Sequence, residues 1–140
     1  MGNQHQLQRE PDAQGAPVRR FADPAYRAMA DDLAGIRGEI DRIDEQIVRL
    51  MAERAMYVKD AARFKRDAFQ VSAPARQAQV FAHVRDLAQR HAPAFNGGFD
   101  GLPDVVEAAY RALVAGYIAC EQKYFASQTE AIDSPQRDQQ

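Results

Sequence analysis

Apolar residues return every three or four positions from Leu33 onward: Leu33, Ile36, Ile40, Ile43, Ile47, Leu50, Met51, Val58 and Ala61. Such stepping marks one face of an α-helix. Asp31 and Asp32 suit its N-terminus, and no proline interrupts the pattern until Pro74. The pattern predicts one helix from about 25–32 to 66, well beyond the ordinary mean of roughly 12 residues. A helix of that length overhangs a compact domain unless it pairs with something, often another chain.

The stretch RDAFQVSAP, residues 66–74, breaks the period and reads as a loop. A second helix is predicted over about 75–91, with Val80, Phe81, Val84 and Leu87 inward. HAPAFNGGFDGLP is a loop by its Gly, Pro and Asn content. A third helix is predicted over about 103–127, with Pro103 at its first position. Val106, Tyr110, Leu113, Tyr117, Cys120 and Tyr124 form its stripe, which reads as core, with Cys120 a buried small hydrophobe. The expected architecture is all-α: a three-helix chain with a very long first helix. Residues 1–24 and 128–140 are polar, carry no period and are expected to be disordered tails around a helical domain of about 25–127.

At 140 residues the chain suits one modest domain. Its net charge of -2 offers no basic field for nucleic acid. One cysteine cannot form an internal disulfide, and no apolar run approaches a membrane span, so a cytoplasmic protein is expected. His5, His83 and His91 share no spacing with one another or with Cys120, so neither a metal nor another cofactor is expected.

The chemistry begins with two cations in the stretch RIDEQIVRLMAERAMYVKDAARFK, residues 42–65. Continuing the first stripe past Met51 brings positions 54, 58, 61 and 65 to the same face. Arg54 and Lys65 hold two of them, about 16 Å apart along a helix. A cation on a buried face is costly unless an anion meets it, whether a carboxylate of the protein or a ligand. Arg76 stands near the start of the second helix and Arg37 on the flank of the first stripe. Several inward cations with few acids on the same azimuth point to a site for a dianion. Arg37 and Arg54 are about 25 Å apart on a straight helix, so one small molecule cannot touch both in one chain. If both bind it, one comes from a second chain running antiparallel, and the expected assembly is an intertwined homodimer.

LAGIRGEIDRIDEQIVRLMAER, VKDAARFK and VSAPARQAQV together resemble the all-helical chorismate mutases. They are also similar to the isochorismate pyruvate lyases of siderophore pathways. The likeness runs over about residues 33–125 and leaves both tails outside. It implies a dimer of three-helix chains with two active sites for chorismate or isochorismate, each using one arginine from the partner. Arg37 matches that donated arginine, and Arg54 the arginine that holds a substrate carboxylate within the chain. Lys65 matches the lysine that contacts a carboxylate and the ether oxygen, and Arg76 the arginine opening the second helix. Gln77 stands where many mutases have a Glu that accepts from the ring hydroxyl. Glu121 stands where many members have a Gln that donates to the ether oxygen, although one residue of slippage would give that place to Gln122.

The implied reaction needs no nucleophile and no proton transfer. It needs a dianion held in a compact shape and donors for charge developing on the ether oxygen. A carboxylate cannot donate, so Glu121 must carry a proton to replace an amide. Burial favours that state and Lys65 opposes it, and better activity at mildly acidic pH is expected. The loop after Lys65 is expected to close over ligand as a lid. Three functions are compatible with these residues: a mutase, a lyase with incidental mutase activity, and a non-catalytic binding or regulatory dimer on the same scaffold.

Overall fold

The computed structural model describes residues 9–132. The outer parts of both predicted tails, 1–8 and 133–140, lie outside the described residues, and His5 with them. Four α-helices follow in order: α1 (Leu33–Ala61), α2 (Ala68–Ser72), α3 (Pro74–His91) and α4 (Leu102–Gln128). Single 3-10 turns sit at Ala62–Phe64 and Ala92–Ala94. There is no strand among the described residues, so the fold is all-helical. None of these helices is long and apolar enough to cross a membrane.

The chain forms two units, Met1–Leu50 and Met51–Gln140. In the first, residues 9–32 run without helix and meet the start of α1. The Ala34 N–H donates to the Ala13 carbonyl at 2.8 Å, and the Gly35 N–H donates to Asp32 Oδ1 at 2.8 Å. Asp32 therefore satisfies one of the free N–H groups of the first turn, as its position in the sequence predicts. The helix starts at Leu33, one residue past the expected range of about 25–32. No residue of α1 is buried. Ile36, Ile40, Ile43 and Ile47 are 39–50% exposed, so the isoleucine stripe is an exposed apolar face.

In the second unit the core forms where α3 and α2 pack on α4. Phe81, Val84 and Ala88 from α3 are buried, as are Val114 of α4 and Val71 of α2. Val80 and Leu87, expected inward, are half-buried on the edges of that face. Arg111 lies 4.3 Å from the Phe81 ring centroid, and Arg85 donates to Asp104 at 2.7 Å, so the α3–α4 contact has charged edges.

Three expectations need correction. The stretch 66–74 is not a plain loop, because it contains α2. Asp67 Oδ1 accepts from the Gln70 N–H at 2.9 Å and Gln70 Oε1 accepts from the Arg66 N–H at 2.6 Å. These bonds start a one-turn helix whose Val71 is only 1% exposed. The same capping ends the first helix early: after Ala61 the chain tightens into a 3-10 turn, and Lys65 is extended at φ -116°, ψ 141°. Cys120 is exposed, not buried. The inward line of α4 runs through Val114 and Glu121, so the position after Cys120 takes the place its own stripe predicts for it.

Candidate functional site

Lys65 and Glu121 meet in the second unit. Lys65 Nζ donates to Glu121 Oε2 at 2.7 Å and makes a long 3.5 Å contact with the Val71 carbonyl. The Glu121 side chain is 3% exposed and that of Lys65 19%. Glu121 is the one buried charged residue among the described residues. Helical azimuth does not account for this placement of Lys65, because α1 has already ended. The extended backbone at 65 turns the side chain under α2 and towards α4.

Arg54 is half-buried and addresses the same helix without a carboxylate. Its guanidinium carbon lies 5.7 Å from the Tyr110 ring centroid and 5.3 Å from that of Tyr117. Both distances fall within cation–π range. Tyr110, Tyr117 and Glu121 step by seven and four along α4, so they share one face, with Glu121 about 6 Å beyond Tyr117. The two cations that the first stripe singles out therefore line up along one face of α4, one held by rings and the other by a carboxylate.

Glu121, and not Gln122, is the residue that faces Lys65. The Gln122 amide nitrogen instead donates to the Ala68 carbonyl at 2.8 Å and to Ser72 Oγ at 3.1 Å. Gln77 is half-buried at the start of α3, and its amide nitrogen donates to the Ser72 carbonyl at 2.6 Å. That bond commits the nitrogen and leaves the amide oxygen able to accept.

Arg76 is exposed and makes no hydrogen bond or ion pair among the described residues. Arg37 is likewise exposed, on the part of α1 that belongs to the first unit. Within one chain the four cations have different surroundings. Lys65 is paired, Arg54 is ring-held, and Arg37 and Arg76 face outward from a single chain. Beside Lys65, a cleft of about 1090 Å³ opens between the end of α1 and the C-terminal end of α4. Lys59, Arg63, Tyr124 and Phe125 are among its walls. His83 and His91 are exposed, and no group of three or more His, Cys, Asp or Glu among the described residues could hold a metal ion.

Sequence reading misses three parts of this site: the tyrosine cradle of Arg54, the bond from Gln122 to α2, and α2 itself. The seven-residue spacing of Tyr110 and Tyr117 was visible but read as core. Asp67 followed by Gln70 is the local capping signal that announces α2.

Comparison with known proteins gives this geometry a family. The family model described as Chorismate mutase type II matches residues 36–122. Over 64 residues the chain is 36% identical to a chorismate mutase of Methanocaldococcus jannaschii, covering 45% of this chain and 65% of that protein. Over 93 residues it is 38% identical to an isochorismate pyruvate lyase of Pseudomonas aeruginosa, covering 66% of this chain and 84% of that protein. It is 30% identical over 94 residues to a bifunctional chorismate mutase/prephenate dehydratase of Aquifex aeolicus, 66% of this chain and 25% of that one. The chain thus spans slightly less than two thirds of the archaeal relative and a quarter of the bifunctional one.

Proposed function

The chain belongs to the Chorismate mutase type II family, and from that premise we propose that it rearranges chorismate to prephenate as a cytoplasmic homodimer with shared sites. One observation carries the reading: a ring-held arginine and a carboxylate-paired lysine are lined up on one face of α4. Such a face suits a small dianion with a carboxylate at one end and an ether oxygen near the other. Arg54 binds a carboxylate. Lys65 has three N–H groups, of which one goes to Glu121 and one points at Val71, leaving the third for a substrate oxygen.

In the rearrangement a carbon–oxygen bond breaks while a carbon–carbon bond forms within one molecule. The protein supplies compact orientation and positive charge at the ether oxygen, both set before the reaction begins. Glu121, once protonated, adds a second donor there. Gln77 accepts from the ring hydroxyl through its amide oxygen, and Arg76 holds a carboxylate at the rim. Arg37 reaches the site from a second chain, and the open isoleucine stripe of α1 supports such pairing, because an apolar face of that length is covered by an equal one.

A second reading, isochorismate pyruvate lyase, is favoured by the match that covers 84% of the Pseudomonas lyase. That reaction uses the same cations. Incubating the purified protein separately with chorismate and isochorismate and identifying products separates the two. Prephenate from chorismate supports the mutase. Salicylate and pyruvate formed faster from isochorismate replace it with the lyase. No turnover of either leaves a binding or regulatory dimer.

A further inference from the structure

A helix of five residues does not hold itself together, since even isolated helices of about 12 residues are marginal in water. What holds α2 is therefore informative. Val71 anchors it from below at 1% exposure. Ala73, left-handed at φ 43°, closes its end with an N–H bond to Phe69. From outside, one side chain touches both ends of the helix. Gln122 donates one amide hydrogen to the carbonyl of the first residue, Ala68, and the other to the hydroxyl of the last, Ser72. Both of its donors go to α2.

Gln122 directly follows Glu121 on α4. One of these neighbours receives the Lys65 ammonium, and the other fixes the element whose Val71 carbonyl flanks that ammonium. We propose that Gln122 is a positioning residue: it clamps α2 as a fixed wall over Lys65, so that the ammonium keeps one direction and stays shielded from water. The segment after Lys65 is then a built part of the site and not a lid. Gln77 adds a third bond to the same wall, at the Ser72 carbonyl. The contribution to turnover rests on the reading of Lys65 as the group that faces substrate. The clamp itself does not.

The test uses the full chain and Gln122→Leu, which keeps the bulk of the side chain and removes both donors. Ser72→Ala, which removes one acceptor only, is the graded companion. Amide exchange and acylation of lysines by an amine-reactive anhydride are both followed by mass spectrometry. In the parent, Lys65 is expected to react more slowly than the exposed Lys59 and Lys123. Gln122→Leu should speed exchange over residues 67–73 and acylation of Lys65 by about tenfold, the factor one net hydrogen bond carries. Lys59, Lys123 and the α3 amides should not change. Ser72→Ala should fall between the two. On whichever substrate the parent turns over, kcat should fall by about tenfold with KM within about threefold, because orientation and not affinity is lost.

Unchanged exchange over 67–73 or unchanged acylation of Lys65 in Gln122→Leu overturns the clamp. Faster exchange with an intact kcat overturns the positioning role. A parent protein that turns over neither chorismate nor isochorismate removes the proposed activity, while the acylation rates still decide whether Gln122 shields Lys65.

Discussion

Lys65 and Glu121, 56 positions apart in the chain, form a 2.7 Å ion pair whose carboxylate side is almost wholly buried. A buried pair is poor at adding stability but severe when broken, because the surviving charge has no partner. This pair therefore has a stability consequence and a catalytic one, and they can be separated.

Lys65→Ala should lower stability by about 3 kcal/mol by stranding Glu121. Glu121→Ala made on top of it should restore part of that loss. Urea unfolding of the two single variants and the double variant measures the coupling. Catalysis should not follow the same recovery. Loss of the ammonium should lower kcat/KM by at least about a hundredfold in both Lys65 variants, as for other preorganised donors.

As a carboxylate Glu121 can only accept, and it accepts from Lys65 at one oxygen; to donate to a substrate, its other oxygen has to carry a proton. Only the protonated carboxyl group donates, so activity that uses this donor should be lower at alkaline than at mildly acidic pH. Glu121→Gln donates without a proton and should flatten that decline. Rates of both proteins from about pH 5 to 8 give the comparison, and coincident profiles would remove Glu121 from the role of donor.

The rings under Arg54 hold the guanidinium without neutralising it, which leaves its charge for a ligand carboxylate. Tyr117→Leu should raise KM by about five- to tenfold, in line with roughly 1 kcal/mol for a partly buried cation–π contact. Tyr117→Phe keeps the ring and should keep KM near the parent value. Equal effects from both changes would assign the role to the hydroxyl, which donates to the Met51 carbonyl.

Shared sites predict complementation. Arg37→Ala and Arg54→Ala should each lose activity by at least about a hundredfold. Unfolded together and refolded as a mixture, half the dimers should be mixed, each with one intact site, giving about one quarter of parent activity. No recovery on mixing would refute donation of Arg37 across an interface, as would sedimentation of the parent as a monomer.

The three large helices were legible because their apolar positions repeat with the helical period, and that period survives without knowledge of any partner. Arg54 was legible as an inward residue for the same reason, whereas Lys65 turns inward through the extended backbone that follows the end of α1. The boundary at Lys65 was not legible. There the tendency of α1 to continue loses to Asp67, which caps α2, and a competition between two local minima cannot be read from period alone. Cys120 misled because α4 is apolar on several sides. Only the packing of α3 against Val114 selected the buried line, and that line placed Glu121 inward.

The sequence by itself determined the helical class, the isoleucine stripe of the first helix and the pair of cations that called for an anion. Each follows from residue types at fixed spacing along one element. The tertiary structure decided which anion Lys65 meets, which rings carry Arg54 and which side chain secures α2. Those contacts join residues fifty or more positions apart, and only the packing of α2 and the end of α1 on α4 brings them together.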